Sequence, residues 1–116
     1  MRETYQPDRS DFAFLDFSPQ SGTEQAGRRP ALILSPRDFN IATGLAAVCP
    51  ITRTQTGSRF EVPIPRGAKL SGVVLSHQFR TVDWISRNAE FHSKANIEFM
   101  CEVMGRIEAI LSIEAT

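Results

Sequence analysis

Hydrophobic and polar positions along the chain alternate in short blocks. Within Phe12–Phe17, an extended strand places Phe12, Phe14 and Asp16 on one side and Ala13, Leu15 and Phe17 on the other. Both sides are mainly apolar, which predicts a well-buried strand. Ser18-Pro19-Gln20-Ser21-Gly22 breaks it, a polar stretch runs to Arg29, and Pro30–Leu34 reads as a second buried strand ended by Ser35-Pro36. Pro36 is expected to start a short helical segment with Ser35 as its N-cap, and Asp38 to Gly44 to be irregular or one helical turn. Leu45–Ile51 is a third strand; its Pro50 predicts an edge or a bulge. Phe60–Ile64 alternates as a half-exposed strand, and Gly72–Ser76 and Gln78–Val82 supply two more. Short strands separated by turn signals imply a small antiparallel sheet curled toward a barrel.

Near the C-terminus the period changes. Ile97, Met100, Met104, Ile107 and Leu111 recur at steps of three and four, the signature of an amphipathic helix with these residues as its core face. Asn96 is its expected N-cap and Glu98 a favourable acid in its first turn. Gly105 within it costs about 1 kcal/mol relative to alanine, which predicts close packing against another element. Residues 1–116 are therefore expected to form a single domain.

Composition narrows the class. Hydrophobic content of 41% with 22% charged residues is ordinary for a globular chain and argues against disorder. No apolar run is long enough to cross a bilayer and the polar start is unlike a signal peptide, so the expected location is the cytoplasm, with no membrane partner. Cys49 and Cys101 lie outside disulfide and zinc-ligand spacings, and each has apolar neighbours, so both are expected to be buried small hydrophobes. The net charge of zero hides an asymmetry: residues 1–27 sum to −3, residues 28–87 to +6 and residues 88–116 to −3. Eleven of the 13 basic residues are arginine, the cation whose fork matches phosphate and stacks on bases, so the central segment can meet a nucleic acid despite the zero total.

Candidate chemistry concentrates in Glu24-Gln25-Ala26-Gly27-Arg28-Arg29-Pro30. The Gly22 to Gly27 spacing imitates a phosphate-binding P-loop, but Arg-Arg-Pro and a strand follow where Lys-Ser/Thr and a helix are required. Zinc-ligand and Gly-x-Ser-x-Gly patterns are absent from the sequence, and His77 and His92 stand alone. What remains is an acid, an amide and two guanidiniums within six residues. Such a set suits RNA cleavage by the neighbouring 2′-hydroxyl, where nucleophile and electrophile are already linked and neither a metal nor a cofactor is obligatory. Arg29 would stabilise the extra charge of the phosphorane, Thr52 would hydrogen-bond a phosphoryl oxygen, and Glu24 is the candidate proton acceptor. The structural alternatives are a salt bridge from Arg29 to Asp16 or Glu24, and a strand-end cap at Thr52.

The chain resembles the MazF/PemK family of toxin endoribonucleases over nearly its whole length. The resemblance is carried by Asp16-Phe17-Ser18-Pro19, Gly22–Pro36, Phe39-Asn40, Thr43-Gly44-Leu45, Cys49–Thr52, Phe60-Glu61-Val62, Gly72–Ser76 and Gln78–Trp84, in matching order and spacing. It implies a mainly β fold with α, an SH3-like small barrel with short helices and a C-terminal α-helix. It also implies a homodimer, sequence-specific and ribosome-independent cutting of single-stranded mRNA, and 2′,3′-cyclic phosphate and 5′-hydroxyl ends. Arg29 and Thr52 fall on the family's catalytic arginine and threonine, Glu24 on an acidic position implicated in some members, and Gln78 on a base-contacting one. Thr23, Gln25, Arg28, Arg53 and Arg80 are the remaining expected RNA contacts. A MazE-like antitoxin would block the groove with an acidic, partly disordered tail. Two departures stand out: Ser10 replaces the usual glycine before Asp11, and His77 an often acidic residue. A non-enzymatic gyrase poison of the same barrel fold is the competing class; it lacks the Glu24 to Pro30 segment and Thr52 as a set. A third is a barrel that binds RNA but cuts it slowly or not at all.

Overall fold

The computed structural model describes residues 4–17 and 27–113. Among the described residues, seven strands and two helices follow in the order β1 (Asp11–Phe17), β2 (Gly27–Ile33), α1 (Arg37–Thr43), β3 (Leu45–Thr52), β4 (Glu61–Pro63), β5 (Val73–Leu75), β6 (Arg80–Asp83), β7 (Glu90–Lys94) and α2 (Ile97–Leu111). A single 3-10 turn at Ser76–Gln78 precedes β6, so the strand expected from Gln78 begins two residues later. The antiparallel sheet runs β4-β5-β3-β2-β1-β7, with β6 also pairing β3. Its two ends do not pair with each other among the described residues, so the sheet curls without closing.

The apolar character of both sides of β1 and β2 is explained by two cores, one on each face of the sheet. Phe12, Leu32, Cys49, Ile51, Val62 and Val74 pack on one face under Phe99, Met100, Val103 and Ile107 of α2. Ala13, Leu15, Ala31, Ile33, Ala46, Val48, Val82 and Trp84 pack on the other.

Several expectations are corrected. β3 is a central strand, with β2 on one edge and β6 then β5 on the other. Leu34 N–H donates to Ala47 O, and hydrogen-bonded pairs alternate along such a ladder, so the nitrogen of Pro50 faces away from β2. It falls where the partner changes from β6, paired to Leu45–Val48, to β5, paired to Ile51 and Thr52, and no ladder donor is missed there. Asp38 to Gly44 belongs to a short helix whose N-cap is Pro36. Ser35 is instead buried one residue before it, donating to Asn40 Oδ1 at 2.6 Å and accepting from Ala47 N–H. Asn40, fully buried, donates to the carbonyls of Pro7 and Ser35 and accepts from Trp84 Nε1 through its own carbonyl, tying α1 to the residue that follows β6.

Helix α2 starts as expected, with Asn96 Oδ1 accepting from Phe99 N–H at 2.7 Å. Its buried face is rotated from the expected stripe: Phe99, Met100, Val103 and Ile107 point inward, while Ile97 and Leu111 are 67% and 61% exposed and Met104 also faces out. Gly105 faces open space, contrary to the close packing expected of it. Cys101 is exposed, whereas Cys49 is buried as expected. Strand β7, too polar to stand out in the sequence, pairs with Asp11–Phe14 across a bulge.

Candidate functional site

Strand register assembles the site. β2 and β3 pair as Ala31↔Pro50, Leu32↔Cys49 and Ile33↔Val48, so Arg29 and Thr52 each stand two residues beyond the last pair, at the same end of the ladder. Paired residues share a face, and Leu15↔Arg29 and Val48↔Arg80 put Arg29, Thr52 and Arg80 on one side of the sheet. Both Arg29 and Thr52 are half-buried, and Arg80 is exposed. The conformation of Arg29 is narrowed by Pro30, because the residue before a proline is driven to extended geometry.

Thr52 closes β3. Its Oγ1 accepts from Thr54 N–H at 3.2 Å, which orients the hydroxyl and leaves its proton for an outside acceptor. The strand-end cap and the phosphoryl donor foreseen as alternatives are thus compatible roles of one side chain. Gly72 permits this: β5 lies so close to Thr52 that a Cβ on Gly72 would meet the Thr52 carbonyl, and its φ of +128° suits glycine.

Phe17 and Arg87 were not legible in the sequence as neighbours of this face. Phe17 ends β1 on the Arg29 side, and the guanidiniums of Arg80 and Arg87 lie 5.7 and 5.3 Å from its ring centre. Such contacts hold the cations without removing their charge. The partners are separated by some 60 to 70 residues, so no local pattern marks them; the +6 segment to which both arginines belong was the available signal.

Arg28 is placed on the other face. It stands opposite Asp16 in the β1–β2 ladder and makes the ion pair that was considered for Arg29, at 2.8 Å. A second bridge joins it to Glu90 at 3.0 Å. The bonds from Asn88 and Arg28 hold the Asp16 carboxyl below the usual carboxylate range. Arg53 is exposed just past β3, Gln78 is exposed at the end of the 3-10 turn, and the ring of neighbouring His77 lies 5.7 Å from that of Phe60. Thr23, Gln25 and Glu24 lie outside the described residues.

A family profile described as PemK-like, MazF-like toxin of type II toxin-antitoxin system matches residues 8–111. The endoribonuclease toxin MazF of Escherichia coli K12 is 40% identical over 89 residues, covering 77% of this chain and 79% of that protein. The endoribonuclease PemK of Escherichia coli is 34% identical over 109 residues, covering 90% and 82%. The crystal structure of MazF (Form-I) from Deinococcus radiodurans superposes with a TM-score of 0.85 at 45% identity, covering 92% of this chain and 97% of that one. A MazE-MazF crystal structure (Form-III) from the same organism gives 0.86 at 42% identity, covering 95% and 100%.

Proposed function

The chain belongs to the PemK-like, MazF-like toxins of type II toxin–antitoxin systems, and we propose that it cuts single-stranded mRNA through Arg29 and Thr52. It is an endoribonuclease. The observation that supports the assignment of residues is the β2–β3 register, which leaves these two side chains at the same end of the ladder on the cationic side of the sheet.

The cut is an internal displacement. The ribose 2′-oxygen attacks its adjacent phosphorus, the P–O5′ bond breaks, and the departing O5′ takes a proton from water, which leaves a 2′,3′-cyclic phosphate and a 5′-hydroxyl. Arg29 forks onto the non-bridging oxygens as negative charge builds on them, and the Thr52 hydroxyl donates to one of those oxygens. Because the nucleophile is already tethered, positioning and charge stabilisation supply most of the barrier reduction, and neither metal nor cofactor is needed. Glu24 takes the 2′-proton; an ordinary glutamate is a weak base, so this is the least demanding of the three roles to lose. Thr23, Gln25, Arg53, Gln78 and Arg80 bind the strand on either side of the cut, Arg80 from beside Phe17. A cationic groove with an aromatic face suits single strands, whose phosphates and unstacked bases are both accessible.

The partners follow from the same chemistry. A MazE-like antitoxin inhibits the toxin by laying an acidic, partly disordered tail over this cationic side. Two copies of the toxin form a homodimer, a reading supported by the exposed Ile97, Met104, Ile110 and Leu111 of α2. Its site of action is the cytoplasm, where mRNA is found; no helix among the described residues is long and apolar enough to cross a membrane.

The test is incubation of the purified protein with a mixed-sequence single-stranded RNA in EDTA, followed by mapping of the new ends. Discrete cuts bearing cyclic phosphate and 5′-hydroxyl ends are expected. Cutting that disappears in EDTA would overturn the metal-free route, and 3′-hydroxyl products would overturn the 2′-oxygen attack.

A further inference from the structure

We infer that Arg28 is a positioning residue that fixes the start of β2 for Arg29, and that it is not itself a phosphate ligand. The inference rests on the reading above that Arg29 contacts the scissile phosphate.

The start of β2 is weakly held by its own backbone. Its pairing with β3 runs from Ala31 onward, so Gly27–Pro30 are laddered to β1 alone. By the alternation from Leu34, the nitrogen of Pro30 faces β3, and without an N–H it cannot extend the β3 pairing toward the start of the strand. The side chain of Arg28 supplies the missing tie. Its Nη1 donates to Asp16 Oδ1 at 2.8 Å, and its Nη2 donates to Asn88 O at 2.6 Å and to Glu90 Oε1 at 3.0 Å. One planar fork thereby joins β1, the turn before β7, and β7 itself.

Asp16 is equally committed. Its second carboxylate oxygen accepts from Asn88 Nδ2 at 2.8 Å, its N–H donates to Arg87 O at 2.8 Å, and its carbonyl accepts from Arg87 Nη1 at 3.1 Å. The 87–88 turn therefore grips residue 16 through main chain and side chain at once, and Arg28 is bound to that grip. The same Arg87 guanidinium lies over Phe17, so the cluster also sets the aromatic edge beside Arg29.

Electrostatics argue against Arg28 as an RNA contact. Two carboxylates already satisfy its charge, and Asp16 and Glu90 would repel an approaching phosphate. Strand alternation turns it to the face opposite Arg29. Exposed ion pairs add little to global stability, so loss of this one should shift melting only slightly and be read chiefly in geometry.

The experiment is single-turnover and steady-state cleavage of a single-stranded RNA oligonucleotide by wild type, Arg28→Gln, Asp16→Asn, the double variant and Arg29→Ala, at several salt concentrations. Arg28→Gln is expected to lower kcat roughly 10- to 100-fold, the scale of an ångström-sized misplacement, with KM within about twofold of wild type. The log–log dependence of KM on salt should keep its slope. Asp16→Asn should act alike, and the double variant should be no slower than the slower single. A raised KM with a slope reduced by about 0.7 would make Arg28 a phosphate ligand and overturn the inference. Wild-type kcat and KM in Arg28→Gln would overturn it too. Should Arg28→Gln fail to fold, Asn88→Ala, which leaves both charges in place, reads the same split. A wild-type rate in Arg29→Ala would instead sink the underlying assignment, whatever Arg28 does.

Discussion

A Cβ placed on Gly72 would lie 2.6 Å from the carbonyl oxygen of Thr52 and 3.3 Å from Ile51 Cγ2. The end of β3 is held where it is because β5 can approach without a side chain between them. Gly72→Ala should therefore push the two strands apart and strain a backbone at φ +128°. A loss of about 1 to 3 kcal/mol in stability is expected by urea unfolding, together with a fall in cleavage rate larger than the unfolded fraction explains. Full activity in a folded Gly72→Ala protein would mean that Thr52 does not need this placement.

Arg29→Ala and Thr52→Ala should each abolish RNA cutting while circular dichroism and the oligomeric state stay as in wild type. Thr52→Ser keeps the hydroxyl that accepts from Thr54 N–H and should retain most of the rate. End-labelled RNA resolved on a gel reads all three, and an inactive Thr52→Ser would move the role of Thr52 from its hydroxyl to its methyl packing.

Ser10 occupies left-handed backbone at φ 81°, which is the physical reason for the glycine usual there. Its N–H donates to Ile33 O and its carbonyl accepts from Ala95 N–H, so the turn cannot relax without losing both. Ser10→Gly should stabilise the protein by roughly 0.5 to 1 kcal/mol, the relief of a left-handed residue less the added freedom of the unfolded glycine. A lowered urea midpoint would show that the serine side chain contributes more than the strain costs.

Acid should weaken the fold in a defined direction. The carboxyls of Asp16, bonded by Asn88 and Arg28, of Glu61, bonded by Thr56, and of Asp83, bonded by Ser86, all titrate below their ordinary values of 3.8, 4.5 and 3.8. A depressed carboxylate stabilises the native state fully above its unfolded pKa, and that contribution disappears as pH falls through the lower native one. Urea midpoints should thus be flat, as far as these groups decide, from pH 7 to about 5 and drop below about 4. Asp16→Asn should shrink the drop; an unchanged profile would remove Asp16 from the account.

Thiol chemistry should separate the two cysteines. Burial pushes the Cys49 thiol up to about 12, so it carries almost no thiolate at pH 8, while Cys101 is exposed on α2. Iodoacetamide followed by mass spectrometry should mark Cys101 in the native protein and both residues in urea. Native labelling of Cys49 would reveal opening of the core beneath α2.

The sequence by itself determined whatever depends on local period or contiguous motif. The strands around Phe12–Phe17 and Pro30–Leu34, the helix after Asn96 with its cap, and the family that owns the Gly22–Pro36 stretch were all legible, because backbone alternation and capping act within a few residues. Arg29 and Thr52 were named from the chemistry of their segments, and the resemblance placed them on the family's catalytic positions. Tertiary structure alone decided which neighbours they acquire. Strand register, a long-range property, left Arg29 and Thr52 at one end of the β2–β3 ladder, gave the Asp16 ion pair to Arg28 and put Arg80 on the face of Phe17, which the turn before β7 reaches with Arg87. It also made β3 central despite Pro50, since only the switch from β6 to β5 reveals that no hydrogen bond is lost there. The rotation of α2 follows the same rule: period marks an apolar stripe, but the sheet beneath selected Phe99 and Val103 and left Ile97, Met104 and Leu111 outside. A one-residue step along a strand changes the face a side chain occupies, and that is why the adjacent arginines 28 and 29 lie on opposite faces of the sheet.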